Sequence, residues 1–253
     1  MSVNPRLSVP ISNTIFESNT KTISYQHNAN NQRISKSIDG TVVEKYLWAN
    51  LTTLLATYDA SGNLKQRFEY ADSRMPVAMT MGASKYYLHY DQVGSLRAVS
   101  DNSHNIIKEI SYDTFGNILS DSNEAFKVPF GFAGGLYDAD TKLTRFGYRD
   151  YDAYVGKWTA KDPIGFAGGD SNLYGYVLGD PVNFFDPSGK SIFTTYERDT
   201  LISQYCAGGY NAGVYYCSTL MGNQNVKCRL DLGLMYSGLE KVDCDDKKSC
   251  KGN

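Results

Sequence analysis

The pattern of apolar and polar positions changes near residue 32. Residues 1–31 are polar, rich in Asn and Ser, and show little periodicity apart from ISNTIF, so we interpret them as a loosely ordered lead-in or an edge strand. From Arg33 onward, short β-prone runs flank the Asp39-Gly40 step. Asp-Gly between two such runs is typical of a β-hairpin. The β body of the chain is therefore predicted to begin at residue 32.

A Tyr-Asp unit recurs through this body at intervals of roughly twenty residues. In the clear copies a Gly follows the Asp by three or four residues, and two further copies are degenerate. The clear copies are YDASGNL at 58, YDQVGSL at 90, YDTFGNI at 112 and YDAYVGKW at 151, and the degenerate ones are YADSR at 70 and YDADTKL at 137. A strand, a glycine turn and a strand repeated in this way predict a repeat array.

Each hairpin of such an array cannot bury its aromatic face alone, so neighbouring hairpins must stack. We expect the tyrosines to form a ladder and the Asp side chains to cap the turns. Over residues 32–189 the pattern predicts continuous antiparallel β structure with no helix longer than about three turns.

A polar, glycine-rich gap, SDSNEAFKVPFGFAGG, lies between Ile118 and Leu136. Its proline and glycines exclude a long helix. Phe126, Phe130 and Phe132 alternate within it, which predicts a short buried strand entering the core.

Residues 144–190 are dense in turn-forming residues, with Asp-Pro steps at Asp162, Asp180 and Asp186. Asp-Pro fixes φ and removes a backbone donor, so each step marks a turn or a strand end. Asp162 and Asp186 stand in similar D-P-x-G settings. Two acids presented in the same way can share a proton as a catalytic pair. Ordinary turn chemistry is the alternative for both.

The composition changes after Gly189. All five cysteines lie in this tail, as Cys206, Cys217, Cys228, Cys244 and Cys250. Their spacings are not those of structural zinc and the tail has no His, so we predict disulfides formed after export, with one thiol left over. Residues 196–206, YERDTLISQYC, are the best helix candidate because their apolar positions recur at helical spacing.

Overall composition narrows the function classes further. The 20 Tyr and 23 Gly favour strands and tight turns. A net charge of -2 and a pI near 5.9 indicate no general nucleic-acid-binding surface. No apolar run is long enough to span a membrane, and the start lacks the charged and apolar regions of a classical secretion signal.

The sequence has no pattern typical of a histidine-dependent site or of a phosphate-binding loop. His27, His89 and His104 are scattered and suit strand or turn positions better than a catalytic or ligand role, and they match neither a Ser-His-Asp nor an HExxH pattern. GGYNAG at 208–213 lacks the spacing of a phosphate-binding loop. The sequence therefore predicts no metal and no cofactor.

Residues 144–190 resemble a known family specifically enough to indicate a function. The strings RFGYRDYDAYVGKW, DPIG and NLYGYVLGDPVNFFDPSG resemble the core domain that closes RHS or YD-repeat proteins, including the C component of bacterial insecticidal toxin complexes and polymorphic toxins. The resemblance is nearly unbroken from Phe146 to Gly189 and extends more weakly back to about Gln32.

That family implies an aspartyl autoprotease, which here would use Asp162 and Asp186 with Arg149 as the assisting arginine. It also implies cleavage after the residue that follows the last glycine, between Lys190 and Ser191. Two positions depart from the family pattern: Asp150 replaces an aromatic residue, and Lys190 replaces an apolar one, often Leu. From the second departure we expect slower cutting than with Leu.

The fold class implied is mainly β: an antiparallel YD-repeat array forming a shell fragment, a compact turn-rich core, and a small tail of mixed α/β. The corresponding segments are the polar lead-in, the repeat array, the core with its autoprotease, and a variable effector, at residues 1–31, 32–143, 144–190 and 191–253.

The function implied is that of the C-terminal part of an RHS-type toxin, which presents and cleaves off a small effector used between bacteria or against a host. Expected partners are a cognate immunity protein and the remaining shell polypeptide or secretion machinery. The chain would be secreted or delivered by a dedicated system. The alternative is a non-enzymatic cell-surface or adhesive repeat protein with a disulfide-bonded appendage.

Overall fold

The computed structural model of the protein describes residues 12–18, 21–71, 74–168, 170–190 and 204–211. Within them the chain forms two antiparallel sheets. The strands are β1 (Ser12–Ser18), β2 (Lys21–His27), β3 (Arg33–Ile38), β4 (Thr41–Trp48), β5 (Leu54–Tyr58), β6 (Leu64–Tyr70), β7 (Pro76–Met81), β8 (Ser84–Tyr90), β9 (Leu96–Asp101), β10 (Ile106–Tyr112), β11 (Ile118–Asp121), β12 (Leu136–Asp138), β13 (Leu143–Phe146), β14 (Arg149–Asp152) and β15 (Lys157–Trp158).

The first sheet contains β1 to β11 in chain order, and the second contains β12 to β15. Short 3-10 segments lie at Phe132–Gly134, Gly165–Gly168 and Val177–Gly179. The mainly β fold is therefore confirmed. In the described part of residues 32–189 no helix approaches three turns.

Four tight turns of the first sheet share one hydrogen-bond pattern around an Asp. The carboxylate Oδ1 accepts the backbone N–H of the residue four positions later, at 2.8–2.9 Å, and the residue three positions later has positive φ. Asn63 also donates its side-chain amide to Asp59, which lowers the pKa of that carboxyl. The predicted capping is thus confirmed. The four aspartates are Asp59, Asp91, Asp101 and Asp113.

The turn at Asp101 is one that the Tyr-Asp pattern missed. Ser100 precedes this Asp instead of Tyr, and His104 takes the positive φ of 65° that Gly takes in the other copies. The carboxylate hydrogen bonds are the same, because they require only the Asp and the backbone that follows it.

Tyrosines from alternate strands pack against the core of the first sheet. They are Tyr46 of β4, Tyr70 of β6, Tyr90 of β8 and Tyr112 of β10. Burial raises the pKa of Tyr90, and the phenols of Tyr70 and Tyr112 add to this effect. Three of these tyrosines, Tyr70, Tyr90 and Tyr112, belong to the predicted Tyr-Asp units and Tyr46 does not, and the ladder that they form follows every second strand. The buried core residues that it covers are Leu54, Phe68, Met75, Met79, Leu88, Leu96, Val99, Ile110, Phe130 and Leu136.

The two sheets meet through buried ion pairs. Arg33 of β3 contacts Asp150 of β14 at 3.1 Å, and Arg145 of β13 contacts the same carboxylate at 3.0 Å. Lys36 of β3 contacts Asp138 of β12 at 2.7 Å. These contacts hold the start of the array against the sheet that carries the candidate site.

The start of the sheet differs from the prediction. Of the two alternatives left open for residues 1–31, the edge strand is observed: β1 pairs with β2, and β2 pairs with β3. The sheet therefore includes residues well before residue 32, although residues 1–11 lie outside the described part. Tyr25 explains why β2 belongs to the fold, since its buried hydroxyl donates to Asp138 at 2.7 Å.

The prediction of a short strand around Phe126, Phe130 and Phe132 is wrong. Phe130 makes one isolated bridge to Leu136, and Phe132 begins a 3-10 segment. The reason is local: Ala133 and the following Gly134 have positive φ, which ends an extended conformation. Burial of Phe130 and Phe132 is as predicted.

The tail is described only at residues 204–211, which are helical. This overlaps the end of the predicted helix at 196–206, whose residues 196–203 lie outside the described part. Cys206 lies in this helix. The other cysteines lie outside the described residues, so the pairing scheme stays a prediction. In the part of the chain that the structure describes, no helix is long and apolar enough to cross a membrane.

Gly62→Ala and Gly116→Ala should differ in their effect on stability, although the two glycines hold equivalent turn positions. Both have φ near +90°, at which alanine is strained by about 1–2 kcal/mol. A Cβ at Gly62 meets open space, whereas one at Gly116 would overlap the Phe132 ring. We expect Gly116→Ala to lose a further 1–3 kcal/mol or so in urea unfolding. Equal losses of stability for the two variants would show that the Phe132 ring moves aside at no cost in free energy.

Candidate active site

The loop between β13 and β14 forms the base of the site. Phe146 pairs with Arg149 across a two-residue loop of Gly147 and Tyr148. Gly147 has a φ of +42°, and a side chain there would clash with the Ser188 carbonyl. Tyr148 donates its N–H to that carbonyl at 2.8 Å. The loop thus holds the second D-P-x-G segment directly beside Arg149.

Arg149 brings the two predicted acids together. One of its terminal nitrogens, Nη2, lies 2.9 Å from Asp162 Oδ2 and 3.4 Å from Asp186 Oδ2. Its guanidinium carbon lies 4.1 Å from the centre of the Trp158 ring. Burial lowers the pKa of Arg149, and both carboxylates act against that effect. The group stays charged, so it stabilises negative charge on either acid.

The two D-P-x-G turns present their acids in similar ways. The glycine N–H of each turn donates to the carbonyl of its Asp, at 3.1 Å for Gly165 and 3.4 Å for Gly189. Both glycines have positive φ. In each Asp the Oδ1 atom accepts a hydrogen bond from the residue two positions on, Ile164 N–H at 2.9 Å or Ser188 Oγ at 2.9 Å. The Oδ2 atoms of both acids therefore face Arg149.

The residue before the predicted cut is also held at this site. Arg149 Nε donates to the Gly189 carbonyl at 2.5 Å, and the Lys190 N–H donates to Ser188 Oγ at 3.2 Å. Ser191 lies outside the described residues.

Gly168 shows how near the Lys190 carbonyl is to the acids. A Cβ on Gly168 would lie 2.7 Å from Asp162 Oδ2 and 3.1 Å from the Lys190 carbonyl oxygen. The two oxygens therefore lie on either side of one point, no more than 5.8 Å apart. The predicted scissile carbonyl is thus in the neighbourhood of one acid of the pair.

A small cavity joins these groups. It encloses about 20 Å³, and its lining includes Arg149, Asp162, Asp186, Gly168 and Lys190. That is the room a single water molecule requires. Apolar side chains line the cavity together with the charged ones: Trp158, Leu173, Val177 and Leu178.

The sequence pattern did not indicate several residues of the site. Ser188, the variable residue of the second D-P-x-G, links Asp186 to the Lys190 N–H. Trp158 and Gly168 shape the space around Arg149 and Asp162. Trp158 and Ser188 stand in the quoted strings, but only their contacts reveal what they do.

The three histidines lie apart from this arrangement. His27 is in β2 and His89 is in β8, where it contacts Ser100 at 2.9 Å. His104 occupies a turn. These are the strand and turn positions that the sequence indicates. Among the described residues no cluster of three or more His, Cys, Asp or Glu has the arrangement of a metal site.

The chain is similar to known proteins over most of its described length. The Teneurin YD-shell family model matches residues 13–175. The tRNA3(Ser)-specific nuclease WapA of Bacillus spizizenii is 29% identical over 174 residues, which are 67% of this chain and 8% of that relative. Teneurin-1 of Gallus gallus is 36% identical over 127 residues, which are 50% of this chain and 4% of that relative.

Solved structures agree on the fold. The crystal structure of TcdB2-TccC3 superposes with a TM-score of 0.54 at 19% identity, covering 74% of this chain and 10% of that one. The chain thus spans a tenth or less of the length of these relatives. Together with the family match, this confirms that the Tyr-Asp units form a YD-repeat array.

Proposed function

Because the chain belongs to the Teneurin YD-shell family, we propose that it is a segment of an RHS-type bacterial toxin. In this proposal residues up to 143 form part of a β-sheet shell and residues 144–190 form a self-cleaving core. The core releases residues 191–253 as a small effector, used between bacteria or against a host.

The observation that carries the proposal is the position of Arg149. Its guanidinium contacts both acids and also holds the Gly189 carbonyl, one residue before the predicted scissile bond. A structural turn needs neither two acids on one arginine nor a backbone carbonyl on the same group. A hydrolytic site that uses a pair of acids needs them held together beside the scissile bond, and Arg149 contacts all of these parts.

The reaction follows from the chemistry of paired acids. The ionised carboxylate takes a proton from a water molecule whose oxygen attacks the Lys190 carbonyl carbon. The protonated carboxyl donates a hydrogen bond to the carbonyl oxygen, and Arg149 stabilises the negative charge of the pair. Transfer of a proton to the Ser191 nitrogen then breaks the peptide bond. The products are a carboxyl group at Lys190 and an amino group at Ser191.

Gly168→Ala should slow the release of residues 191–253 by roughly ten- to a hundredfold, because its methyl group displaces Asp162 or the Lys190 carbonyl. Gly168 has no positive φ, so alanine is acceptable to its backbone. The control is Gly179→Ala, which strains a positive φ but has open space around it. Release rates followed by gel in a cell-free pulse-chase would test this. Equal rates for wild type and Gly168→Ala contradict the proposed geometry.

The proposed shell needs further polypeptide. In the described residues β1 and β11 are the two ends of an open sheet, and an open sheet edge is a surface on which more strands add. The structural neighbour TcdB2-TccC3 combines two named components. We infer that the rest of a shell, in the same or another polypeptide, continues this array, and that a secretion or delivery machinery exports it.

The tail is proposed to carry the toxic activity and to meet a cognate immunity protein. Its cysteines are proposed to form disulfides after export. The test is expression of residues 191–253 alone in a bacterium, in the cytoplasm and directed to the periplasm. Growth arrest that a small neighbouring open reading frame relieves supports the effector. Unhindered growth in both compartments contradicts it.

The second candidate is a non-enzymatic surface or adhesive repeat protein. One observation favours it: the family match ends at residue 175, so the shared part contains the array, Arg149 and Asp162 but not the complete acid pair. In that case the D-P-x-G turns only end the array, and the purified chain stays full length.

A further inference from the structure

Lys190 departs from the apolar residue that the resemblance implies before the cleaved bond, and the structure places its charge at a defined point. The Lys190 ammonium nitrogen lies 3.4 Å from the centre of the Tyr148 ring. Both residues are partly buried. An ammonium group over an aromatic face is attracted by the negative face of the ring.

Tyr148 is held firmly in this position by its backbone. Its N–H donates to the Ser188 carbonyl at 2.8 Å, and its carbonyl accepts from the Asn31 side chain at 3.2 Å. It belongs to the same two-residue loop that leads into Arg149. Two consecutive residues, the last of the loop and the first of β14, therefore supply the aromatic ring under Lys190 and the arginine of the acid pair.

The charge of Lys190 must be placed somewhere beside the acids. Arg149, Asp162, Asp170 and Asp186 line the same cavity as Lys190. A second cation close to Asp162 and Asp186 would favour ionisation of both, and the reaction needs one of them protonated. Placing the ammonium over the Tyr148 ring gives the cation a partner that is not one of the two acids.

We propose that Tyr148 is the specificity-determining residue for the side chain before the cleaved bond, and that its ring accommodates a cationic residue there. This inference rests on the proposed self-cleavage. Tyr148 acts through Lys190, whose backbone it helps to position, and it takes no part in the proton transfers. Lysine and arginine are the side chains that an aromatic face of this kind accepts.

The test compares release rates of full-length chains in a cell-free pulse-chase, with Tyr148→Phe and Tyr148→Leu each made on the wild-type chain and on a Lys190→Met chain. Phenylalanine keeps the aromatic face and leucine removes it, and methionine keeps most of the length of the lysine without its charge. On the wild-type chain, Tyr148→Leu should slow release about three- to tenfold, and Tyr148→Phe should leave the rate within about twofold of wild type. On the Lys190→Met chain, both changes should have less than about a twofold effect.

Because both backgrounds carry the same change at residue 148, a general folding defect would slow release equally in each. Equal slowing, or no slowing on the wild-type chain, overturns the role of Tyr148 and leaves the self-cleavage standing. A chain that stays intact in all these forms, wild type included, removes the proposed self-cleavage and this inference with it.

Discussion

Replacing Asp162 or Asp186 with Asn should leave the chain intact under conditions in which the wild-type chain releases a tail of 63 residues that begins at Ser191. Asn keeps the shape of the side chain and its hydrogen bond from Ile164 N–H or Ser188 Oγ, but it removes the acid. The proposed reaction needs one ionised and one protonated carboxyl. Either change alone should therefore reduce the release rate on the order of a thousandfold or more.

The double variant should be no slower than either single one, because the acids act as a unit and their effects do not add. Asp180→Asn is the matched control. Asp180 also precedes a proline, and its carboxylate contacts the Asn183 side chain instead of Arg149. The mass of the released fragment fixes the position of the cut. Full-length wild-type protein, or a tail released at the normal rate from Asp186→Asn, would show that the pair is structural.

Asp150→Ala should destabilise the folded chain by about 3–5 kcal/mol, because it leaves Arg33 and Arg145 buried without the carboxylate that both of them contact. The Asp150 side chain is 6% exposed, and those of Arg33 and Arg145 are 4% and 8% exposed. Urea unfolding of the full chain, measured at one protein concentration, gives the difference.

Asp152→Ala, two residues later on β14, is the control. The Asp152 carboxylate accepts one N–H from Tyr154 at an exposed turn. Asp152→Ala should therefore lower the free energy of unfolding by only about 1 kcal/mol. Replacing Arg33, Arg145 and Asp150 together by apolar residues should restore much of the stability, since no buried charge remains unpaired. A loss for Asp150→Ala as small as that for Asp152→Ala would mean that water reaches the two arginines.

The buried ion pairs of Asp150 explain one departure from the family pattern. The resemblance implies an aromatic residue at position 150, where this chain has an Asp. The carboxylate is matched by two buried arginines, one from the array and one from β13. The substitution at position 150 is therefore part of the junction between the two sheets.

The sequence by itself determined the local turns and, through them, the fold class. The carboxylate of Asp59 or Asp113 accepts a hydrogen bond from a backbone N–H only four residues away. The glycine within each of these turns needs no distant partner for its positive φ. Such short-range interactions are set by a few consecutive residues, so their repetition predicted an antiparallel array. The resemblance then indicated Asp162, Asp186 and Arg149 as candidates.

Only the tertiary structure decided which of these residues meet. Arg149 contacts Asp186 across 37 positions of the chain, and Arg33 contacts Asp150 across 117. Lys190 lies over Tyr148 because β13, β14 and the last D-P-x-G turn dock together. These contacts depend on how sheets and turns pack, and residues far apart in sequence carry no local sign of one another. The same reason explains the wrong strand at Phe130, whose burial followed from its hydrophobicity while its backbone followed the turn at Ala133 and Gly134.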